Sequence, residues 1–323
     1  MTEITSSAPG NLMIMGEHAI LYGQKCISCA VDRRITVTIN ELAKDDIIVQ
    51  SDIRDVGFSL SLSVLRQSSI HDFPPEYQFV LAAIKLCDLE QGVKLSIRSD
   101  FPPELGLGSS AAVTAATVGG LEKLKDNSFD ITTSKNRHHV LERSFDVVQE
   151  VQNKRGSGYD LATSIWGGVI KYDKNSKSVE RFPVDDMPLT IIYSGSKFKT
   201  TRVLEIVDQL SHDLEDEYQQ IYSLIGRLVD RASDRIMSKN WAGLGRLFNM
   251  NQGLLDAIGV NNQTLSKIIY WARDQGAYGS KISGAGLGDC AIALGRIPDH
   301  YPKNEDGIRC LDITMAQRGL AID

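Results

Sequence analysis

The sequence predicts an α+β protein built in two domains, and three observations carry that reading. A chain of 323 residues is long for one hydrophobic core. Strand patterns dominate its first hundred positions, whereas helical runs and short strands alternate after Phe182-Pro183, as in a two-layer α+β half. No internal repeat and no low-complexity linker interrupts the chain, so the join is expected between residues 1–184 and 185–323.

Taken in order, Ile4 to Met15 reads as a short strand, then Pro9-Gly10, then the apolar run Leu12-Met13-Ile14-Met15. Cys26 to Val31, Ile35 to Ile39, Asp46 to Gln50 and Phe58 to Leu60 read as successive strands. The period-two alternation of Ile35 to Ile39 leaves one face wet. Glu76 to Asp88 is an amphipathic helix, and Val93 to Arg98 is a strand that runs into Pro102-Pro103. Ala111 to Lys125 and Thr133 to Val151 are helices, the second capped by Thr133 or Ser134. Beyond the join come a strand at Leu189 to Tyr193 and helices at Thr200 to Leu210, His212 to Lys239, Trp241 to Ile258 and Asn262 to Gln275. Strands at Tyr278 to Ile282, Asp289 to Leu294 and within Gly307 to Thr314 complete the chain.

Composition removes several function classes. The balance of 35 basic and 41 acidic residues, net −6, argues against a general nucleic-acid or membrane surface. No apolar run is long enough to span a bilayer. Met1 to Ser7 lacks the charged start and apolar core of a signal peptide, so a cytoplasmic location is expected. Five cysteines have no framework spacing, and Cys26-x-x-Cys29 has no second Cys or His pair to complete a zinc site. That pair reads better as small hydrophobes in a buried strand.

The segment Pro102-Pro103-Glu104-Leu105-Gly106-Leu107-Gly108-Ser109-Ser110-Ala111-Ala112 carries the strongest chemical signal. Its glycines permit positive φ and close approach, and the helix that starts at the serines points unpaired N–H groups and a positive dipole end at one spot. Such a spot suits a phosphate. No Gly-Lys-Ser/Thr follows, so it is not a Walker loop. Gly106-x-Gly108-x-x-Ala111 matches a loose dinucleotide fingerprint, but Pro102-Pro103-Glu104 breaks the required strand-to-helix unit and Asp126 sits in a polar loop. A dehydrogenase is therefore rejected.

Two further glycine-bearing motifs flank this loop. Gly16-Glu17-His18-Ala19-Ile20-Leu21-Tyr22-Gly23 sets a carboxylate and an imidazole into an apolar stretch, as ligand contacts or as a turn acid and a core histidine. Ser283-Gly284-Ala285-Gly286-Leu287-Gly288 follows a strand. Between them, Gly156-Ser157-Gly158-Tyr159-Asp160 holds a carboxylate after two glycines, beside a ligand or as a helix N-cap.

In order and spacing these motifs resemble the GHMP kinase superfamily over nearly the whole chain. The word Ser7-Ala8-Pro9-Gly10 through Gly16-Glu17-His18-Ala19-x-x-Tyr22-Gly23 is most similar to its mevalonate kinase branch. The resemblance implies an N-terminal β/α domain with the glycine-rich phosphate loop and a C-terminal ferredoxin-like α/β sandwich. It implies ATP-dependent phosphorylation of the primary hydroxyl of mevalonate, with Mg²⁺. Pro103, Gly106, Leu107, Gly108, Ser109, Ser110 and Ala111 would hold the ATP phosphates. Ser283, Gly284, Ala285 and Gly286 would close N–H groups over charge that builds in the transition state. Ser110 inherits a Mg²⁺ contact, and Asp160 the role of accepting the hydroxyl proton. Asn11, Glu17, His18 and Thr201 fall on the acceptor side. The partner is thus a small molecule; a homodimer stays open.

Two departures qualify the resemblance. The family carries lysine where this chain has Asn11, and an amide brings hydrogen bonds without charge. Lys197, Lys199 or Lys281 is expected to supply the missing cation. Eleven positions before Asp160, where mevalonate kinases place a Mg²⁺-binding glutamate, stands Gln149. Glu150 lies about 100° further round the helix, so the metal is expected on Ser110 with Gln149 or Glu150. Gln149, Gly156 to Asp160 and Gly288-Asp289-Cys290 look more like phosphomevalonate kinase, whose acceptor phosphate Lys197, Lys199, Arg202, Lys154 and Arg155 could bind. Gly16-Glu17-His18 and the compact length favour mevalonate. A homologue that binds ATP without turnover is the remaining alternative.

Overall fold

A computed structural model describes residues 3–52, 54–152, 156–295, 297–298, 301 and 307–323. Two sheets organise the described residues: one of eight strands and one of four. The first begins with β1 (Glu3–Met15), β2 (Lys25–Glu41), β3 (Asp46–Ser51) and β4 (Arg54–Ser61). The short α1 (Leu62–Gln67) and α2 (Gln78–Cys87) lead to β5 (Val93–Ser99), which runs parallel to β3 and antiparallel to β2. The helices α3 (Ser109–Lys125), α4 (Ser134–Val151) and α5 (Tyr159–Trp166) come next. The strands β6 (Val169–Asp173) and β7 (Ser178–Arg181) extend the sheet from the lower half of β2.

The segments Cys26 to Val31 and Ile35 to Ile39, expected as two strands, are one. β1 pairs with β2 along its length, and the register shift between Pro9↔Arg34 and Asn11↔Ala30 absorbs the polar Asp32-Arg33 as a bulge. Asp32 then takes hydrogen bonds from Thr314 instead of ending the strand. α3 packs closely on β1 and β2 because its buried face is rich in Ala and Gly. A Cβ on Gly120 would lie 2.8 Å from both Ile39 and Ser6, and the Ser6 hydroxyl donates to the Ala116 carbonyl at 2.7 Å. The expected cap of α4 is Thr133, whose hydroxyl accepts the Asn136 N–H at 3.2 Å.

After Phe182 the chain enters the second sheet, of order β11-β8-β10-β9. Its strands are β8 (Leu189–Tyr193), β9 (Gly279–Ser283), β10 (Cys290–Leu294) and β11 (Arg309–Leu311). Between β8 and β9 run α6 (Thr200–Leu210), α7 (Glu215–Met237), α8 (Trp241–Ala257) and α9 (Gln263–Asp274). The chain then returns. Met315 bridges Val31, and β12 (Ala321–Ile322) pairs with Ser6 and Ser7 at the edge of the first sheet. The two cores meet at β1, α8 and the second sheet.

Cys26, Cys29, Cys87 and Cys290 are buried and unpaired, and for Cys26 and Cys29 this agrees with their reading as small hydrophobes in a strand. Burial pushes the Cys29 thiol up to about 12. Among the described residues, no helix is long and apolar enough to cross a membrane, and no three His, Cys, Asp or Glu side chains form a metal-holding group.

Candidate active site

A cleft of about 260 Å³ opens where the two sheets meet, and all three glycine motifs reach it. The first motif arrives at the end of β1. Gly16 turns at φ 107°, in a space so tight that a Cβ would lie 2.6 Å from Cys26, and His18 follows at φ 58°. The strained backbone at a bulky residue fixes the imidazole over the cleft. His18 Nε2 meets the Ala285 carbonyl at 2.8 Å, so that nitrogen carries the proton. Burial lowers the His18 pKa, which keeps the ring neutral. Its Nδ1 is therefore a buried lone pair without a partner among the described residues.

Glu17 lines the cleft although it is only 1% exposed, and both of its carboxylate oxygens are taken. Oε1 forms an ion pair with Lys281, and Oε2 accepts the Asn251 amide at 3.0 Å. Lys281 donates as well to the Ile282 carbonyl and lies 5.9 Å from the Phe248 ring centroid. It is fully buried, does not line the cleft, and burial lowers its pKa against the pull of Glu17. Lys281 is thus engaged elsewhere and does not stand in for the missing lysine. Lys197 and Lys199 do line the cleft, with the Lys197 ammonium donating to the Pro103 carbonyl.

The central loop folds as the glycines require. A 3₁₀ turn at Pro103–Leu105 ends at Gly106, φ 68°, and Gly108, φ 69°, caps α3. Both need glycine for space too: a Cβ at Gly108 would lie 2.3 Å from the Asn11 amide nitrogen, and one at Gly106 2.8 Å from the Asp289 carboxyl carbon. Pro103, Gly106, Gly108, Ser109 and Ser110 line the cleft, while Leu107 and Ala111 turn into the core. The start of α3 consequently faces the cleft with its unpaired N–H groups. Ser283, Gly284 and Ala285 of the third motif line it as well. Gly286 instead packs on Val260, and the Ser283 hydroxyl is held by the Met13 carbonyl at 2.9 Å.

Asp160 is the second residue of α5, whose cap is Gly158 at φ 84°, so the N-cap alternative for Asp160 is not what the helix uses. Its Oδ1 accepts the Leu161 N–H at 2.9 Å, and burial raises its pKa. Asn11, only 2% exposed, does not line the cleft. Its amide donates to the Asp160 carbonyl at 3.3 Å and to Ser164 Oγ at 3.2 Å, while its backbone N–H donates to the Leu107 carbonyl at 2.9 Å. Asn11 therefore ties the phosphate loop to the helix that carries Asp160.

Thr201 lines the cleft near the start of α6. Gln149 donates its amide to the Gly156 carbonyl at 3.2 Å and Glu150 is exposed; neither lines the cleft, whose wall carries Gln152. Lys154 and Arg155 lie outside the described residues. Sequence reasoning did not name Gln152, Phe198 or Asp289 as site residues. Asp289, at φ 58°, has its carboxyl pushed up to about 6 by burial, against the opposing effect of Lys197. Its signal was the word Gly288-Asp289-Cys290, which resembles another branch and so drew attention to the acceptor rather than to the cleft wall.

Comparison with known proteins agrees with this arrangement. Residues 78–168 match the GHMP kinases N terminal domain and residues 232–307 the GHMP kinases C terminal domain. A mevalonate kinase of Pyrococcus abyssi is 34% identical over 308 residues, covering 90% of this chain and 88% of that protein. The fold is also that of the Methanococcus jannaschii mevalonate kinase, with TM-score 0.77 at 23% identity, covering 97% of this chain and 98% of that one. The Streptococcus pneumoniae phosphomevalonate kinase in complex with phosphomevalonate and AMPPNP has TM-score 0.77 at 18% identity, covering 98% and 100%.

Proposed function

The chain belongs to the GHMP kinase family, and we propose that it transfers the terminal phosphoryl group of ATP to the primary hydroxyl of mevalonate. One observation carries the proposal: the start of α3, the third glycine loop and the Asp160 carboxyl line a single cleft. Phosphoryl transfer asks mainly for positioning and for charge stabilisation, which helix-end and loop N–H groups provide. The phosphates lie at Ser109 and Ser110. The base then enters the adjoining groove of about 260 Å³, which shares those serines and is walled by Phe79, Val80, Phe101 and Val113.

The acceptor hydroxyl lies at Asp160, which takes its proton. The His18 Nδ1 lone pair and the Thr201 hydroxyl orient the rest of the acceptor. A neutral histidine accepts a hydrogen bond without adding positive charge, which suits an acceptor whose own anionic group can lie at Lys197 or Lys199. Mg²⁺ fits these donors. It keeps waters and substrate phosphates and needs only one or two protein oxygens; the Ser110 hydroxyl and the Gln152 amide oxygen are available on the cleft wall. When bound, the ion neutralises phosphate charge.

Coupled ATP-consumption assays with mevalonate, phosphomevalonate and galactose test the proposal. The highest kcat/KM is expected with mevalonate. A higher value with phosphomevalonate would overturn the acceptor and leave the kinase standing, whereas ATP binding with no turnover on any acceptor would overturn the kinase.

A further inference from the structure

A second cavity, of about 470 Å³, lies at the far end of α5. Asp160 near the start of that helix lines the cleft, and Trp166 at its end lines this cavity. A volume in this range accommodates a small organic ligand. One side of the lining is apolar, with Trp166 only 8% exposed and Leu320 beside it. The other side is cationic: Arg137, Arg181, Arg318 and Lys123.

Those charges are poorly matched within the protein. Among the described residues Asp130 is the one acid in the lining, and its Oδ1 is already taken by the Thr132 N–H at 2.9 Å and the Thr132 hydroxyl at 2.7 Å. Lys123 is bound to the Phe129 carbonyl at 3.2 Å, and Arg318 lies 3.7 Å from Asp323. Arg137 uses only Nε, toward the Ile131 carbonyl at 3.2 Å. Arg181 uses one terminal nitrogen, toward the backbone and side-chain oxygens of Gln317, both at 2.8 Å. The other guanidinium nitrogens of both arginines have no hydrogen-bond partner among the described residues. Burial first, and then the like charge of Arg181, lower the Arg137 pKa against the pull of Asp130, so the two guanidinium groups lie within each other's field.

We propose that this cavity binds a small phosphate monoester, its dianionic phosphate held between Arg137 and Arg181 and its organic part resting on Trp166 and Leu320. Planar guanidinium forks match phosphate oxygens in pairs, which a lysine ammonium does not. A dianion would relieve the repulsion between the arginines, and the apolar floor favours an ester over inorganic phosphate. The assignment uses no residue of the cleft and does not depend on which acceptor the kinase takes.

Phenyl phosphate serves as the probe and Trp166 as the reporter, in the full chain with Trp241→Phe and Trp271→Phe and with the cleft filled by ATP. A saturable fluorescence change is expected. Its half-saturating concentration should rise about tenfold in Arg137→Gln and in Arg181→Gln, the loss expected for one charge-assisted pair. Inorganic phosphate should bind more weakly, and both variants should keep their kcat on the kinase acceptor. Arg181 also holds Gln317, so Arg318→Gln, with its exposed side chain, provides a variant that leaves the fold alone and should weaken binding a few-fold. No saturable signal and no calorimetric heat with the folded chain would overturn the site. So would unchanged half-saturation in Arg137→Gln at an unchanged melting temperature.

Discussion

Glu17→Gln separates a residue that holds the fold from one that holds the acceptor. In the wild type the Glu17 carboxylate neutralises Lys281, and neither side chain is exposed to solvent. The amide removes the counter-charge and leaves an ammonium in an apolar site, its pKa already lowered by burial. The cheapest escape is loss of the proton. At pH 7, against an ordinary lysine value of about 10.4 and ~1.36 kcal/mol per pH unit, that escape costs at most ~4.6 kcal/mol. The glutamine oxygen retains one hydrogen bond to Lys281, so the expected loss is about 3 kcal/mol, within the range for broken buried pairs. With unfolding entropy near ~2.1 cal/mol/K per residue over 323 residues, the melting temperature should fall by about 4 °C. The sign of the pH dependence follows. A lysine whose folded pKa is lowered penalises folding while the unfolded chain is protonated, so the loss should shrink as pH rises from 7 toward 10. Glu17→Gln/Lys281→Met, which removes both partners, should recover most of the loss. The assay is thermal unfolding at pH 7, 8, 9 and 10 beside acceptor KM. An unchanged melting temperature with a large rise in acceptor KM would refute the argument and put Glu17 on the substrate.

Asp160→Asn should lower kcat by about 10²–10⁴-fold while changing ATP affinity less than about twofold. It should also raise the melting temperature at pH 8, because a carboxyl with a raised folded pKa opposes folding above its ordinary value; the gain should vanish below about pH 4, and a lower melting temperature at pH 8 would count against a buried charge. Asn11→Ala removes two long hydrogen bonds, so thermal melting should show a loss of about 1–2 kcal/mol, and a displaced Asp160 should lower kcat roughly 10- to 100-fold at constant ATP KM. Asn11→Lys, which has no room beside Gly108, should do worse in both; a faster enzyme would show that the position still wants a cation. Ser110→Ala should weaken ATP binding about tenfold with Mg²⁺ and little without it, as read by calorimetry with and without EDTA.

Local chemistry made much of this fold legible. The strand Leu189–Tyr193 and the helix Thr200–Leu210 have the bounds their apolar periods indicate. Expectation fails where a distant partner decides. The polar Asp32-Arg33 would end a strand standing alone, but the bulge against β1 and the Thr314 hydrogen bonds carry β2 through it. The two-residue β12 exists only because the edge of β1 is there to receive it. At the site, glycine positions told where backbone turns toward the cleft, since φ is a local property. They did not tell where long side chains end. Lys281 and Lys197 look alike in sequence, yet one is buried on Glu17 and the other lines the cleft. Asn11 looked like a lysine position emptied of charge, and its amide joins two backbone segments far apart in the chain.

The return of the chain to the first sheet has a mechanical consequence. The polypeptide passes between the sheets twice, at residues 182–188 on the way out and 312–319 on the way back. The Gln317 amide ties the passages together, donating to the Val184 carbonyl at 3.1 Å and the Asp185 carbonyl at 3.0 Å. Two passages pinned side by side resist shear and torsion better than one and leave bending about their common line as the easiest relative motion. The layers on either side of the cleft should accordingly open and close as the covers of a book, with Gln317 in the spine. Excising residues 1–184 would cut both passages and leave the spine without its stitching.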